Sequence, residues 1–429
     1  MEKPRIAIKG GHIIDPANGV DRQDSLFVAE GKIVALGAPS DGFTADIEIE
    51  VPGQVVCPGF IDLSVRLREP GQEHKATIDS ETVAAARAGI TTLCSQPDTI
   101  PVVDEPAVVE MIKERTQLVG KARILPIGAL TQGLSGERLS EMSALKNAGC
   151  VAVGNASQPI ATTLVLRRAL EYATTYGLLV VIRPEDFWLK DSGCVHEGAV
   201  GTRLGLPGIP ESAEVVAVAQ ALALVEQVGA RAHFAQLSCA RSSVLISRAQ
   251  YDGVRVSADV SAHQLHLTEE NIDGFDPMYH VNPPLRTVED REGLRQGVAR
   301  NVIAAICSDH QPHEEEAKRN SFPATEIGMA SLETLLPLTL QLVDEGVLTL
   351  TQAIERLTVG PAKVLGIDFG TLIPGSAADV CVFDPGATWH IGRDTWSSRG
   401  LNTPYWGSPM KGRVSHILFG GIPVFKADI

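Results

Sequence analysis

The sequence lacks the features that mark membrane-embedded, secreted and nucleic-acid-binding proteins. No apolar run approaches the ~18 residues that a membrane span requires, and the N-terminus has no apolar segment followed by a cleavage site. The seven cysteines are scattered and include no Cys-x-x-Cys pair, so we expect buried, reduced thiols. Positive charge is scarce, because 37 Lys and Arg face 52 Asp and Glu; the net charge of −15 disfavours nucleic acid or an anionic membrane as a partner. The composition predicts a cytoplasmic globular protein.

The middle of the chain alternates strand-like and helix-like segments, which is typical of parallel strands joined by helices. The alternative to a closed barrel is an open doubly wound sheet, but the glycine-rich phosphate turn that such a sheet usually carries is missing between Ser64 and Gly71. An α/β fold with an eight-stranded (β/α) TIM-like barrel is therefore predicted. The eight strand candidates are residues 60–66, 90–96, 124–130, 150–155, 178–183, 232–238, 254–259 and 302–309.

Both ends of the chain are rich in short β segments separated by glycine and proline. Chain termini often lie close together, so we expect one small composite β-sandwich domain from residues 1–57 and 366–429, and a barrel domain from 58–365. The predicted terminal strands are 5–9, 11–14, 25–29, 32–36, 378–383, 414–419 and 422–425, and the clearest helices are 80–88, 162–176 and 211–228.

One strand carries polar side chains on a single face. Asp62, Ser64, Arg66 and Arg68 alternate with apolar residues, an unusual choice for a buried strand unless that face lines a site. In a barrel of this kind the chemistry lies at the carboxyl ends of the strands, so this face predicts a site there.

The surrounding motif, Pro58-Gly-Phe-Ile-Asp-Leu-Ser-Val-Arg-Leu-Arg-Glu-Pro-Gly71, resembles the metal-binding strand of the cyclic amidohydrolases and of the dihydroorotases in particular. The resemblance continues through residues 84–92, 205–214, 281–286 and 307–313 and covers nearly the whole chain. It implies an amidohydrolase barrel, in which active members use one or two zinc ions to polarise a cyclic amide and supply hydroxide.

This chain departs from the family at the metal ligands. Of those positions, only Asp309 keeps a ligand, and we expect it to be vestigial. Arginine stays protonated and repels a cation, so the resemblance implies no bound metal, no other cofactor and no catalytic residue here. The degenerate positions are Ser64 and Arg66 for two imidazoles, Asn155 for the bridging carboxylate or modified lysine, Arg183 for a third imidazole and Gln236 for a fourth.

The family's substrate-binding positions are better preserved. Arg68, His313 and Asn282 match them, whereas Asp98 replaces an amide and is expected to repel a substrate carboxylate. We further predict that Arg66 and Arg183 replace the metal charge by pairing with Asp309 and with Glu185 or Asp186, since unpaired buried charges are costly. His233, His263 and His266 are expected to be structural, and residues 312–321 to form a mobile surface loop.

The resemblance implies a catalytically inactive dihydroorotase homologue. It is similar to the noncatalytic chains that scaffold certain bacterial aspartate carbamoyltransferases in pyrimidine biosynthesis, so the expected partners are those catalytic chains, bound to a homodimer within a larger hetero-oligomer. One alternative is a metal-independent cyclic amide hydrolase with Asp309 as general base, which needs an open pocket around Asp309. Another is a regulatory module that binds an anionic pyrimidine precursor through Arg68 and His313. The scaffold hypothesis allows that pocket to be filled by Arg66 and Arg183.

Overall fold

The computed structural model describes residues 3–39 and 42–427, which form eighteen strands and twelve α-helices. The strands are β1 (Ile6–Asp15), β2 (Val20–Ala29), β3 (Lys32–Leu36), β4 (Ile47–Glu50), β5 (Val55–Pro58), β6 (Phe60–Val65), β7 (Ile90–Ser95), β8 (Arg123–Ala129), β9 (Ala152–Gly154), β10 (Leu179–Ile182), β11 (Val195–His196), β12 (Gly208–Ile209), β13 (Ala232–Phe234), β14 (Val256–Ser261), β15 (Ala305–Cys307), β16 (Val380–His390), β17 (Pro409–Phe419) and β18 (Ile422–Lys426). The helices are α1 (Ile78–Arg87), α2 (Pro106–Val119), α3 (Met142–Ala148), α4 (Thr163–Thr175), α5 (Phe187–Lys190), α6 (Ala199–Leu204), α7 (Glu211–Val228), α8 (Ala240–Tyr251), α9 (Val288–Ala299), α10 (Leu335–Asp344), α11 (Leu350–Leu357) and α12 (Val359–Leu365).

Eight parallel strands form a nearly closed barrel in the order β6, β7, β8, β9, β10, β13, β14, β15. The circle is completed just beyond the last strand, where the Arg66 N–H donates to the His310 carbonyl (2.9 Å) and the His310 N–H donates to the Ser64 carbonyl (3.2 Å). Each predicted strand has its counterpart, so the barrel prediction is confirmed. The carboxyl ends of parallel strands open on one side, which we call the mouth.

A second eight-stranded sheet draws on both ends of the chain, in the order β18, β17, β16, β5, β1, β2, β3, with β4 alongside β1. The two ends meet where β5 pairs antiparallel with β16 and Cys57 lies opposite Cys381. The predicted segments 5–9 and 11–14 are one continuous strand, because a bulge at Gly10, with φ of 74°, absorbs the irregularity. The domain boundaries at 57/58 and 365/366 stay a prediction.

Local signals in the sequence account for the helix ends. The predicted helix 211–228 is α7, which has Glu211 and Glu214 in its first turn, where acidic side chains favour the helix dipole. It stops at Gly229, whose φ of 69° suits a residue without a side chain. Helix α1 opens with a reciprocal cap between Thr77 and Ser80, at N···O distances of 3.1 and 3.0 Å.

The terminal sheet packs against the barrel through β17, which contacts α10 and α1. Arg123 at the start of β8 pairs with Asp379 at 2.8 Å, and its guanidinium lies 3.7 Å from the ring centre of Phe369. Because Arg123 begins its strand, this contact fixes the sheet to the end of the barrel opposite the mouth.

The predicted surface loop 312–321 is not fully exposed, and that prediction is wrong for part of it. His313 and Lys318 are buried, and Glu315–Lys318 form a short 3₁₀ turn. The His313 N–H donates to the Asn402 side-chain oxygen at 2.8 Å, which ties the start of the loop to the C-terminal region. The loop therefore forms part of the wall of the mouth.

All seven cysteines are buried free thiols, as predicted. Within residues 3–39 and 42–427, no helix has the length and apolar character needed to cross a membrane.

Candidate functional site

The carboxyl ends of β6, β13 and β15 bring three predicted site residues into one hydrogen-bonded cluster. The Gln236 amide donates to Ser64 Oγ at 2.5 Å, and Ser64 Oγ donates to Asp309 Oδ1 at 3.4 Å. The Gln311 amide adds contacts of 3.3 Å to both oxygens of Asp309. The side chains at these predicted ligand positions therefore satisfy one another within the barrel.

Arg66 crosses from β6 to two carboxylates. Its Nε lies 2.7 Å from Asp98 Oδ2, and its Nη1 lies 3.7 Å from Asp309 Oδ1. Burial opposes the charge on Arg66, but the two carboxylates outweigh burial and raise the pKa of its guanidinium. The predicted pairing of Arg66 with Asp309 is thus present, although Asp98 is the closer partner.

The role predicted for Asp98 needs correction. Burial raises the pKa of this carboxyl, but Arg66 overcomes that effect, so its net pKa is lowered and Asp98 is an anion paired with a cation. An anion neutralised at 2.7 Å presents little free charge to a substrate carboxylate. The expected repulsion is therefore largely cancelled by Arg66.

Asp309 is almost fully enclosed, with 2% of its surface exposed. Burial raises the pKa of its carboxyl, and Arg183 and then Arg66 oppose that rise. The net pKa of the Asp309 carboxyl is raised, so the two guanidinium groups offset only part of the cost of burying its anion.

Arg183 does not make the predicted ion pairs. Its guanidinium donates to Ser157 Oγ and to the Asn282 carbonyl. Glu185 instead pairs with Lys190 at 2.7 Å, and Asp186 accepts a hydrogen bond from a backbone N–H in the first turn of α5. The pairing prediction fails here because the local helix uses both carboxylates.

Asn155 lies apart from the Ser64–Asp309 cluster. Its Oδ1 accepts from Thr131 Oγ1 at 2.7 Å, and its Nδ2 donates to the carbonyls of Leu134, Gln158 and Pro159. Asn155, which we predicted to replace a bridging ligand, therefore fixes a loop.

The predicted substrate-binding residues Arg68 and His313 contact each other. Burial lowers the pKa of His313 to about 2, with Arg68 and Lys75 adding to the effect, so the imidazole is neutral. Its Nδ1 lies 3.1 Å from Lys75 Nζ, and its Nε2 lies 3.0 Å from the Ile327 carbonyl. Nδ1 thus accepts and Nε2 donates, so Arg68 Nη2, 3.0 Å from Nε2, faces a donor. Arg68 keeps neutral partners in Pro312 and Gln72 but forms no salt bridge with any described residue. Burial and Arg66 lower the pKa of Arg68 to about 10.

A cavity of about 660 Å³ occupies the mouth. Asp309 is not among its lining residues, so the cavity is separate from the carboxylate that a general-base mechanism requires. The arginines line this space without filling it. The predicted site residues on its wall are Arg66, Arg68, Asp98, Arg183, Asn282 and His313.

Several residues at the mouth have strained backbones. Arg68, Gln236 and Asp309 have φ of 63°, 55° and 50°, in the left-handed region that costs side-chain-bearing residues about 1–3 kcal/mol each. Such strain is concentrated at functional sites, so the backbone at these three residues has a geometry typical of a functional site.

The side chains at the mouth do not fit a zinc ion. The Asp309 carboxylate is contacted by Ser64, Gln311 and the guanidinium of Arg66, whereas zinc requires several imidazole, thiolate or carboxylate donors. In the part of the chain that the structure describes, one group of three such donors lies close together, and it stands at the first turns of α7, α8 and α9. Those residues are Glu211, Cys239 and Asp290. Burial raises the pKa of the Cys239 thiol, which disfavours metal binding there.

The three histidines that were predicted to be structural have hydrogen-bond partners within the fold. His233 lies 2.9 Å from both Ser257 Oγ and Asp259 Oδ2, and His266 lies 2.8 Å from a backbone carbonyl. His263 Nε2 contacts Ser261 Oγ at 3.1 Å. Their proposed structural role agrees with this geometry.

Sequence reasoning missed Ser157, Gln311 and Lys75. Ser157 and Gln311 each follow a predicted ligand position, Asn155 and Asp309, by two residues. Inspecting the polar residues just after each ligand position would have identified them. Lys75 lies in a loop beyond the polar strand, and no pattern in the sequence predicts its contact with His313.

Comparison with solved structures defines the class of fold. The L-hydantoinase (dihydropyrimidinase) from Arthrobacter aurescens superposes with a TM-score of 0.87 at 23% identity, covering 99% of this chain and 96% of that chain. A D-hydantoinase has a TM-score of 0.83 at 25% identity, covering 99% and 95%. The barrel with its additional sheet is therefore the TIM-barrel fold of the cyclic amidohydrolases.

Sequence comparison gives the family. A family model described as "Dihydro-orotase-like" matches residues 53–242. A "Dihydroorotase-like protein" from Pseudomonas aeruginosa is 48% identical, covering 97% of this chain and 98% of that protein. A "Dihydroorotase" from Anaeromyxobacter dehalogenans is 41% identical, covering 98% of each. The chain belongs to the dihydroorotase-like family, within the metal-dependent amidohydrolase class.

Proposed function

We propose that this chain is a catalytically inactive dihydroorotase homologue that serves as a noncatalytic, structural subunit of aspartate carbamoyltransferase in pyrimidine biosynthesis. The first half rests on the cluster at the mouth, where Gln236 donates to Ser64, and Ser64 and Arg66 both contact Asp309. Hydrolysis of a cyclic amide needs a polarised carbonyl and an activated water, and the family obtains both from zinc. The mouth offers guanidinium donors, but the enclosed Asp309 is not among the residues that line the cavity and could activate a water there.

The metal-independent hydrolase hypothesis receives no support from the geometry. A general base must come within about 3 Å of the proton that it removes, directly or through one water. Asp309 is 2% exposed and does not line the cavity, whereas Arg66 and Gln311, which contact it, do. A substrate in the cavity has no direct approach to it.

The second half of the proposal rests on the family resemblance together with an intact fold. A barrel that has lost its catalytic apparatus still presents its whole surface for assembly. A two-fold dimer of this chain and three-fold trimers of the catalytic chain can combine into one closed particle, which gives the assembly a defined stoichiometry.

The regulatory hypothesis retains one favourable observation. Arg68 is half-buried and lines the cavity without a carboxylate partner among the described residues. A half-buried cation without a carboxylate partner favours an anionic ligand, and ligand binding is compatible with a structural role.

The purified chain is expected to retain well below one zinc ion per molecule after exposure to excess Zn²⁺ and desalting, and to show no turnover of dihydroorotate. Metal content by mass spectrometry and the loss of substrate absorbance measure the two quantities on one preparation. The Anaeromyxobacter dihydroorotase, handled identically, is the positive control. A Cys239→Ser variant tells zinc at the Glu211–Cys239–Asp290 group from zinc at the mouth. One zinc per chain that persists in this variant, together with turnover, would contradict the proposal.

Mixing this chain with the aspartate carbamoyltransferase catalytic chain of the same organism is expected to give a particle much larger than either component. Light scattering coupled to size-exclusion chromatography gives the masses of the mixture and of each chain alone. Two separate peaks with the masses of the unmixed chains, over a range of concentrations, would rule out the structural role.

A further inference from the structure

A second cationic position lies on the cavity wall, away from Arg68. Ser157 Oγ accepts hydrogen bonds from two guanidinium groups, Arg66 Nη2 at 3.4 Å and Arg183 Nη1. A hydroxyl oxygen that accepts twice still has its own hydrogen to donate. Both Ser157 and Arg183 line the cavity, so that hydrogen is available to an acceptor inside it.

The charges of the two arginines are balanced differently. Arg66 has Asp98 and Asp309 within ion-pair distance. Arg183 forms no salt bridge with a residue that the structure describes, and its neighbour Glu185 is paired with Lys190. Asp309 is near enough to feel the Arg183 charge but lies behind the wall. A half-buried guanidinium with only neutral hydrogen-bond partners attracts an anion.

An unsatisfied acceptor stands beside this cation. The Asn282 side chain is 5% exposed and lines the cavity, and its Oδ1 is buried without a hydrogen-bond partner among the described atoms. Its Nδ2 lies 3.4 Å from Glu185 Oε2, which fixes the orientation of the amide. A buried carbonyl oxygen without a donor costs free energy unless a ligand supplies one.

We propose that Arg183 and Ser157 form an oxyanion-binding subsite at the position where the family holds its metal, and that Asn282 Oδ1 accepts an N–H group of the same ligand. The subsite takes a carboxylate or phosphate oxyanion of a small molecule that enters the mouth. It is separate from the Arg68–His313 pair, and it requires neither catalysis nor a partner chain. Guanidinium is suited to this task because its planar fork binds two oxygens of one oxyanion.

Calorimetric titration of the isolated chain at low ionic strength tests the subsite. The probes are inorganic phosphate, acetate and N-acetylglycine. Phosphate against acetate distinguishes a phosphate site from a carboxylate site, and acetate against N-acetylglycine shows whether an N–H group beside the carboxylate adds to the binding. We expect phosphate or N-acetylglycine to bind with a Kd of about 1 mM or tighter. Arg183→Met should weaken that binding at least about tenfold, as the loss of a charge-assisted hydrogen bond requires. Arg183→Lys should recover part of it.

Matched variants locate the binding. Arg203→Met removes an exposed arginine of α6, paired with Asp273 at 3.4 Å, and should leave the affinity unchanged. Ser157→Ala should weaken binding several-fold and replaces Arg183→Met if the latter does not fold. Asn282→Leu should weaken N-acetylglycine more than phosphate. No binding of any probe would overturn the proposal, as would binding that Arg68→Met abolishes and Arg183→Met leaves intact. Because the titration uses this chain alone, its outcome is independent of whether the chain assembles with a carbamoyltransferase.

Discussion

Replacing Arg66 by methionine is expected to lower the free energy of unfolding by about 3 kcal/mol. The substitution keeps much of the side-chain volume but leaves Asp98 and Asp309 without the cation that lies 2.7 and 3.7 Å from them. The side chain of Asp309 is 3% exposed and that of Asp98 is 28% exposed, so water from the cavity can rehydrate Asp98. The loss of stability is therefore near the lower end of the range for breaking a buried ion pair. Urea unfolding at neutral pH measures the difference.

The double variant Arg66→Met, Asp98→Asn tests the cause. If charge is responsible, neutralising Asp98 should restore part of the stability, with a coupling of at least about 1 kcal/mol. The control is Arg248→Met, which removes a surface arginine paired with Asp252 on α8 and should change stability by less than about 0.5 kcal/mol. An Arg66→Met loss no larger than that of the control would mean that the cluster does not depend on the Arg66 charge.

The sequence predicts the barrel well because its signals are local. Several barrel strands, such as β10 and β15, are short apolar runs, and β6 and β14 alternate apolar with polar residues. Helix 211–228 carries its own start and stop signals in Glu211 and Gly229. The short strands β4 and β5 escape prediction because they pair with β1 across other segments and carry no hairpin turn of their own.

The mouth could be predicted only in part. The rule that sites lie at strand ends predicts that Arg66 and Asp309 approach each other. It cannot predict that Asp98 is the closer partner of Arg66, because that contact depends on the path of the loop after β7. Nor does it predict that Arg183 binds Ser157, because side-chain direction at the end of β10 is set by packing. Ion pairs between distant segments are tertiary properties, and local patterns do not encode them.

The Asp62 carboxyl is expected to make the protein less stable as the pH rises from about 4 to 7. Burial raises its pKa from 3.8 to about 7, Asp259 adds to the rise, and backbone N–H groups of Ser64 and Ser308 oppose it. Between these two values the folded state holds a proton that the unfolded state has released, so ΔG of unfolding falls with increasing pH and levels off above about 7. The shift corresponds to a loss of roughly 4 kcal/mol at most.

Asp62→Asn is therefore expected to stabilise the protein above pH 7 and to remove this part of the pH dependence. Asparagine keeps the oxygen that accepts from Ser64 and Ser308, and it places a neutral amide where Asp62 Oδ2 has no hydrogen-bond partner among the described atoms. Urea unfolding at several pH values should give a variant-minus-native difference that rises between about pH 4 and 7 and is constant above. Glu333, whose pKa burial raises to about 8, contributes in the same direction, so Glu333→Gln serves as the control that should leave the Asp62 contribution intact. A difference that does not change with pH would show that Asp62 is ionised throughout, and that its two backbone donors outweigh its burial.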